Sequence, residues 1–195
     1  MKKFELTSEF VTFLGKKLFR IKALISFGNV EEGELGGYVE KEENLSNDGD
    51  AWVSGDAWVY GDARVCGNAW VYGDARVYGD ARVYGDARVY GDAWVYGDAR
   101  VSGNAWVSGN AWVSGNAWVS GDADYATVHG FGSEYRTTTF FRTKAGDIGV
   151  RCGCFYGTLE EFRAKVKETH GETKTAKEYL MVADLMEFRF SKEEA

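Results

Sequence analysis

No proline occurs among the 195 residues, so a collagen triple helix, which needs proline together with a regular glycine period, is excluded. No run approaches the roughly 18 uncharged apolar residues of a membrane-spanning helix. The stretch from Met1 to Glu9 already carries Glu5 and Glu9 and leads into no apolar signal core, so secretion is not expected. Three cysteines, Cys66, Cys152 and Cys154, are too few for a disulfide framework, and their odd number points to a reducing cytoplasm. Positive charge is scarce: 23 basic against 30 acidic side chains give a net charge of −7, which lacks the basic footprint of a DNA or RNA binder. Histidine occurs twice, as His129 and His170. What is abundant is glycine, 25 residues, together with a 45% hydrophobic and 15% aromatic content too high for a disordered chain.

The glycine is periodic. Gly49-Asp50-Ala51 opens a six-residue unit, Gly-[Asp/Asn]-Ala-[Trp/Arg]-Val-[Tyr/Ser], that recurs without a break to Gly121-Asp122-Ala123. A unit of six is too short for a helical repeat and matches the hexapeptide class of parallel β-helix. Within a unit Ala and Val lie two apart, so on a strand they share one face, which must be the inner one. Trp or Arg, and Tyr or Ser, then point outward. Gly-Asp or Gly-Asn is a turn signal, because Gly accepts a positive φ and Asp or Asn can bond its own backbone. Each unit is a short strand plus a corner, and three units close one triangular coil. The twelve full units make four coils, roughly 19 Å tall at the usual strand spacing of about 4.8 Å.

This array resembles the hexapeptide-repeat superfamily, in which an aliphatic residue recurs every six places with a small residue two before it. Val53, Val59, Val65 and onward to Val119 fill the aliphatic place, and Ala51, Ala57, Ala63 and onward to Ala117 the small one. The resemblance implies a left-handed parallel β-helix; ordinary parallel crossovers are right-handed, and the period alone does not fix the hand.

The open ends of a coil stack need caps, and the flanks read as caps. Residues 1–35 are expected as an N-terminal β cap, with strands over 3–7, 10–14 and 17–25 and a turn at Gly15-Lys16. Residues 36–131 are expected as the repeat domain, with the perfect array over 49–123. Val39 and Leu45 start an imperfect coil near Gly36, Asn47-Asp48 breaks the phase, and Ala126-Thr127-Val128-His129-Gly130 reads as a last irregular coil shifted by three. Residues 132–195 are expected as a ββαα module: strands over 135–143 and 149–155, a helix opened by the capping box Thr158-Leu159-Glu160-Glu161 and stopped at Gly171, and a second helix over 174–188. The fold class is therefore mainly β. End to end, the chain is similar to a group of phage and prophage proteins. The similarity rests on Thr12-Phe13-Leu14-Gly15, Leu35-Gly36-Gly37-Tyr38-Val39-Glu40-Lys41 and Gly153-Cys154-Phe155-Tyr156-Gly157-Thr158-Leu159-Glu160-Glu161-Phe162. It implies origin and architecture, not an activity.

Most characterised hexapeptide-repeat proteins are acyltransferases with a histidine general base. The array has no histidine, which leaves His129 as the single weak candidate base and argues against an enzyme. Two histidines are too few for the three-histidine zinc site of related carbonic anhydrases, and Cys152-Gly153-Cys154, with Cys66 far away, reads as strand thiols; no metal and no cofactor are expected.

Folding the sequence at three units per coil sorts the outward side chains onto three faces. Face one holds Trp52, Trp70, Tyr72, Arg88, Tyr90 and Trp106. Face two holds Trp58, Tyr60, Arg76, Tyr78, Trp94, Tyr96 and Trp112. Face three holds Arg64, Arg82, Arg100 and Trp118. Aromatic faces of this size suggest self-association, and a three-fold ring would join face one of each copy to face two of the next; the enzymes this array resembles are trimers. The bland reading is that the ladders only stack on their own coils. Guanidinium groups among aromatic rings suit a small anionic, nucleotide-like ligand, with phosphate on the arginine and base on the ring. The expected binding residues are Arg76, Arg88, Tyr78, Tyr90 and Trp94, together with Arg64, Arg82 and Arg100. A purely structural scaffold or polymer is the alternative, an acyltransferase the second.

Overall fold

A computed structural model describes residues 2–191. Strand β1 (Phe4–Phe13) and β2 (Lys16–Ala23) form an antiparallel hairpin, and β3 (Leu35–Val39) continues it. Twelve two-residue strands, β4 to β15, follow at six-residue intervals from Trp52–Val53 to Trp118–Val119. Each of the first nine pairs in parallel with the strand three units on, as Trp52 with Trp70, Trp58 with Arg76 and Arg64 with Arg82. The three columns so formed are the three faces read from the repeat. Ala and Val of every unit are buried, the Val side chains stacking along the axis as a continuous core. The corners need glycine. Gly73 has φ +72°, and a Cβ there would sit 3.1 Å from the amide nitrogen of Gly91 on the next coil.

The imperfect first coil is present. Val39 pairs with Val59 and Leu45 bridges to Val65, each step two residues longer than three units, so Asn47-Asp48 is a two-residue insertion at one corner. The expected pair of N-terminal strands is one long strand, β1, which keeps its pairing through an irregularity between Leu6 and Phe10. Its turn sits one residue earlier than Gly15-Lys16, because Leu14 and Gly15 both take positive φ (48° and 78°), the geometry that a tight hairpin requires.

The stack is polar along its axis. Within the array the N–H of one coil donates to the C=O of the next, as in Trp52 N to Ala69 O at 3.0 Å and Ser54 N to Val71 O at 2.9 Å. The first-coil end therefore presents bare carbonyls and the last-coil end bare amides, and each bare group must find a partner. At the first-coil end the partners are donors. Lys3 Nζ donates to Gly49 O (3.1 Å) and Ala51 O (2.8 Å). Asn44 Nδ2 makes the same pair of bonds two corners on, to Gly61 O (3.0 Å) and Ala63 O (2.8 Å). At the last-coil end the partners are acceptors: Asp122 Oδ1 takes Trp106 N–H (2.8 Å), Thr139 Oγ1 takes Trp112 N–H (2.9 Å), and Asp124 Oδ2 takes Ser120 N–H (2.9 Å).

Beyond the array lie β16 (Tyr125–Val128), β17 (Thr138–Arg142), β18 (Ile148–Cys152) and β19 (Phe155–Thr158), then α1 (Leu159–His170) and α2 (Lys174–Phe190). The expected last irregular coil over 126–130 is corrected here. Its residues form β16, which pairs antiparallel with β17 as the edge of a four-stranded sheet. The apolar spacing survives the three-residue shift but the glycine corners do not, so the chain has no means to turn a further coil. The expected long strand over 149–155 is two strands broken at Gly153-Cys154, where Gly153 has φ +55°. Alternation along β17 joins the two cores: Phe141 plugs the solenoid and Phe140 packs under the helices. Thr158 and Glu161 make the reciprocal capping bonds that open α1.

Candidate functional site

The aromatic and arginine residues of face two stack on one another. Arg76 lies between Trp58 (4.5 Å) and Trp94 (5.0 Å), and Trp94 stacks on Trp112 at 5.3 Å. Beside that column Tyr60, Tyr78 and Tyr96 stack nearly parallel at 5.0 and 4.9 Å. Both caps reach over this face. Phe13, at the hairpin tip, packs on Trp58 (5.1 Å) and Tyr60 (5.9 Å), and the Arg76 guanidinium also faces it. Arg151 of β18 covers Tyr96 and Trp112 at 5.9 and 5.4 Å. Burial pushes the Tyr60 and Tyr78 phenols above their ordinary range, so both stay protonated. Among the expected binding residues, Arg76, Tyr78 and Trp94 are thus brought together in an intramolecular ladder whose flanks are filled.

Face one is more open. Trp52 is an exception, fully buried under Phe27. Further along, Tyr72 and Tyr90 stack at 4.9 Å, and Arg88 lies exposed over Trp106 at 5.0 Å. A cleft of about 500 Å³ opens at the adjoining corner, lined by Trp70, Tyr72, Arg88, Asp50, Asn68 and Asp86. Burial is the main cause that raises the Tyr72 phenol, with Tyr90 adding to it and Arg88 opposing it. The corner side chains alternate Asp50, Asn68, Asp86, Asn104, Asp122, and Asn68 Nδ2 donates to Asp86 at 3.1 Å; alternation keeps like charges from stacking at adjacent rungs.

On face three Arg64, Arg82 and Arg100 are in register on neighbouring strands. Arg64 and Arg82 are exposed, and Arg100 rests over Trp118 at 5.6 Å. These three lie on a different side of the prism from Arg76 and from Arg88, so the eight expected binding residues do not form one site. His129 is exposed just beyond β16, with Nδ1 3.1 Å from Thr137 Oγ1, and is not part of the array. Cys152 ends β18 half-buried, and Cys154 lies exposed in the turn that follows; the reading of both as buried strand thiols is corrected to one half-buried strand thiol and one exposed turn thiol. Among the described residues no group of three His, Cys, Asp or Glu is placed to hold a metal ion, and no helix is long and apolar enough to cross a membrane.

Two features of the C-terminal region were not expected from the sequence. Met181, Leu185 and Phe188 stand exposed on α2 (70%, 57% and 77%), and Leu185 and Phe188 face Trp106 (46%) across a cleft of about 780 Å³. Their spacing of four and three residues is a helical stripe, legible in the sequence but masked by the stronger inward stripe of Ala176, Tyr179, Ala183 and Met186. The other feature is a cleft between the sheet and α1, floored by rings.

Parallel coils of three units each, with an aliphatic core and folded ends, define a β-solenoid repeat protein, and this chain is one. Within the array, the YdcK β-solenoid repeat matches residues 57–73, 63–79, 81–97, 93–109 and 105–121, together about a third of the chain. No curated protein matches the chain.

Proposed function

We propose that the protein is a non-catalytic β-solenoid that associates side by side, as a trimer, and holds a small nucleotide-like ligand in the seam between copies. The observation that supports this best is the open half of face one. There Arg88 is exposed between aromatic rings, and the same surface runs on through Trp106 to the apolar stripe of α2. Apolar patches of this extent mark interaction surfaces. Side chains from both flanks hold backbone groups at the two ends of the stack, which favours lateral association over end-to-end polymerisation. In a three-fold ring, face one of each copy meets Tyr78 and Trp94 on the middle rungs of face two of the next. The cleft beside Arg88 offers a guanidinium for phosphate, rings for a base and the carboxylates of Asp50 and Asp86 as acceptors for sugar hydroxyls. A phage-encoded protein acting in the host cytoplasm would sequester a signalling nucleotide in this way without any catalytic group. An acyltransferase needs a base near the array, and the position of His129 does not favour it.

Isothermal titration with a panel of cyclic and linear nucleotides tests the ligand. Binding of at least one member without turnover is expected, weakened about 10–150-fold in Arg88→Ala, the loss of one charged hydrogen bond of about 1.5–3 kcal/mol. Arg76→Ala should leave affinity within a few-fold, because that guanidinium is held inside its own ladder. No binding, or conversion of the nucleotide, overturns the reading.

A further inference from the structure

The cleft between the C-terminal sheet and α1 lies away from the array and is no part of the seam proposed above. It encloses about 530 Å³, within the range of small-molecule sites. Its floor is a cluster of rings: Phe155 and Phe162 at 5.5 Å, and Phe162 edge-on to Tyr179 at 5.7 Å. The groups placed around that floor are mostly donors. They are the Tyr179 phenol, the Cys152 thiol, the Arg136 guanidinium, the Lys165 ammonium and His170; the Glu134 carboxylate, beside Arg136, is the one acidic side chain of the lining. Cys152 Sγ already accepts from Thr138 Oγ1 at 3.2 Å, which leaves its S–H to point elsewhere. Burial, and then the neighbouring Cys152, keep the Tyr179 phenol protonated above its ordinary range, so it remains a donor. The charged rim is not locked. Arg136 meets Glu134 at 3.5 Å and Lys165 meets Glu168 at 2.9 Å, both pairs well exposed; such pairs contribute only about 0–1 kcal/mol and exchange readily for another anion.

We infer that this cleft is a second ligand site, which takes a small planar aromatic anion, its ring on Phe155 and Tyr179 and its anionic group on Arg136 and Lys165. Donors outnumber free acceptors, so an occupant must bring acceptor oxygens; the floor is aromatic, so the rest of it must be flat and apolar. Cys154, exposed on the rim, provides a built-in reporter.

The test is protection from alkylation. The folded protein is treated with iodoacetamide in the presence of 8-anilinonaphthalene-1-sulfonate, an aromatic anion, or N-phenyl-1-naphthylamine, its uncharged analogue, and each cysteine is followed by mass spectrometry. The sulfonate should slow alkylation of Cys154 saturably, at least tenfold, while Cys66 on face three is unaffected. The uncharged analogue should need at least tenfold higher concentration for the same protection. The double variant Arg136→Ala/Lys165→Ala, changed only at exposed side chains, should erase that difference. Three outcomes overturn the inference: fluorescence that saturates without protecting Cys154, equal protection by both probes, or full protection in the double variant. Each leaves the Arg88 titration untouched, so the two proposals fail separately.

Discussion

Replacing Asn44 tests whether the solenoid is closed by polarity-matched caps. Asn44 is fully buried in the first, imperfect coil. Its amide donates to Gly61 O and Ala63 O, and its Oδ1 accepts the Lys41 N–H at 3.0 Å. Asn44→Ala strips the partner from two carbonyls and one amide. A buried unpaired group costs about 1–3 kcal/mol; with water reaching the amide at Lys41, the two carbonyls set a loss of about 2–5 kcal/mol. For a chain of this size each kcal/mol lowers Tm by about 2–4 °C, so the variant should melt roughly 5–20 °C lower by circular dichroism. Asn44→Asp should be worse than Asn44→Ala at pH 7, because it turns a carboxylate toward an end that already presents bare carbonyl oxygens. The excess should shrink as pH falls toward about 4, the ordinary Asp value, because the folded acid, its carboxyl raised by the facing carbonyls, regains a donor hydrogen before the unfolded one does. At the opposite end the order reverses. Asp124 only accepts, from Ser120 N–H and Oγ–H and from Gly121 N–H, so Asp124→Asn should cost about 1 kcal/mol or less by keeping one accepting oxygen. An Asn44→Asp protein as stable as Asn44→Ala would refute the polarity argument.

The array should tolerate loss of a whole coil: deleting residues 73–90 brings Trp58 onto Trp94 and Trp70 onto Trp106, and should cost about 1–3 kcal/mol in urea unfolding at the usual stability per residue, whereas deleting a single unit should abolish the cooperative transition. Lys3 is buried under the first coil, and desolvation lowers its ammonium to about 8 from an ordinary 10.5, against the pull of Asp50 and Asp48. Between those values the unfolded chain holds a proton the folded chain has lost, so stability should rise with pH from about 8 toward 9.5, and Lys3→Met should flatten that rise in urea midpoints. Further up, Tyr60 and Tyr78 act in the opposite sense, because the unfolded phenols ionise first and stability is lost as pH climbs past about 10. Arg76→Ala should lower stability by about 1–3 kcal/mol, since it removes a cation held between two indoles, and should do so without changing the oligomeric state seen by gel filtration.

The array was legible because one rule, an apolar pair every six residues with glycine at the corner, is satisfied at every unit from Gly49 onward. The fold of the columns into faces follows from arithmetic, and so did the imperfect coil at Val39 and Leu45. Periodicity misled at Ala126-Thr127-Val128, where the apolar spacing persists but a sheet edge, β17, offers antiparallel pairing that a cornerless segment takes instead. The site was less legible for a physical reason. The sequence places Arg76 and Arg88 on outward positions alike, yet only tertiary contacts decide which is covered: Phe13 and Arg151, one from each flank of the array, close over the two ends of face two, Phe13 reaching Arg76, and leave the later rungs of face one open. Lys3 and Asn44 could not be read as caps, since nothing in their local sequence marks a side chain that must satisfy carbonyls on a coil the chain has yet to form. The ring-floored cleft left one trace, the thiols around Gly153.

Sedimentation velocity at micromolar concentration, comparing the wild type with Trp106→Glu and Trp118→Glu, tests side-by-side association through face one most directly. Both indoles are exposed on the last coil, one on face one and the other on face three, so the two substitutions differ in the face they charge. The account predicts a wild-type species of about three times 21.7 kDa, shifted to monomer by Trp106→Glu and kept by Trp118→Glu. A wild-type monomer, or assembly that survives a charge at Trp106, would contradict it.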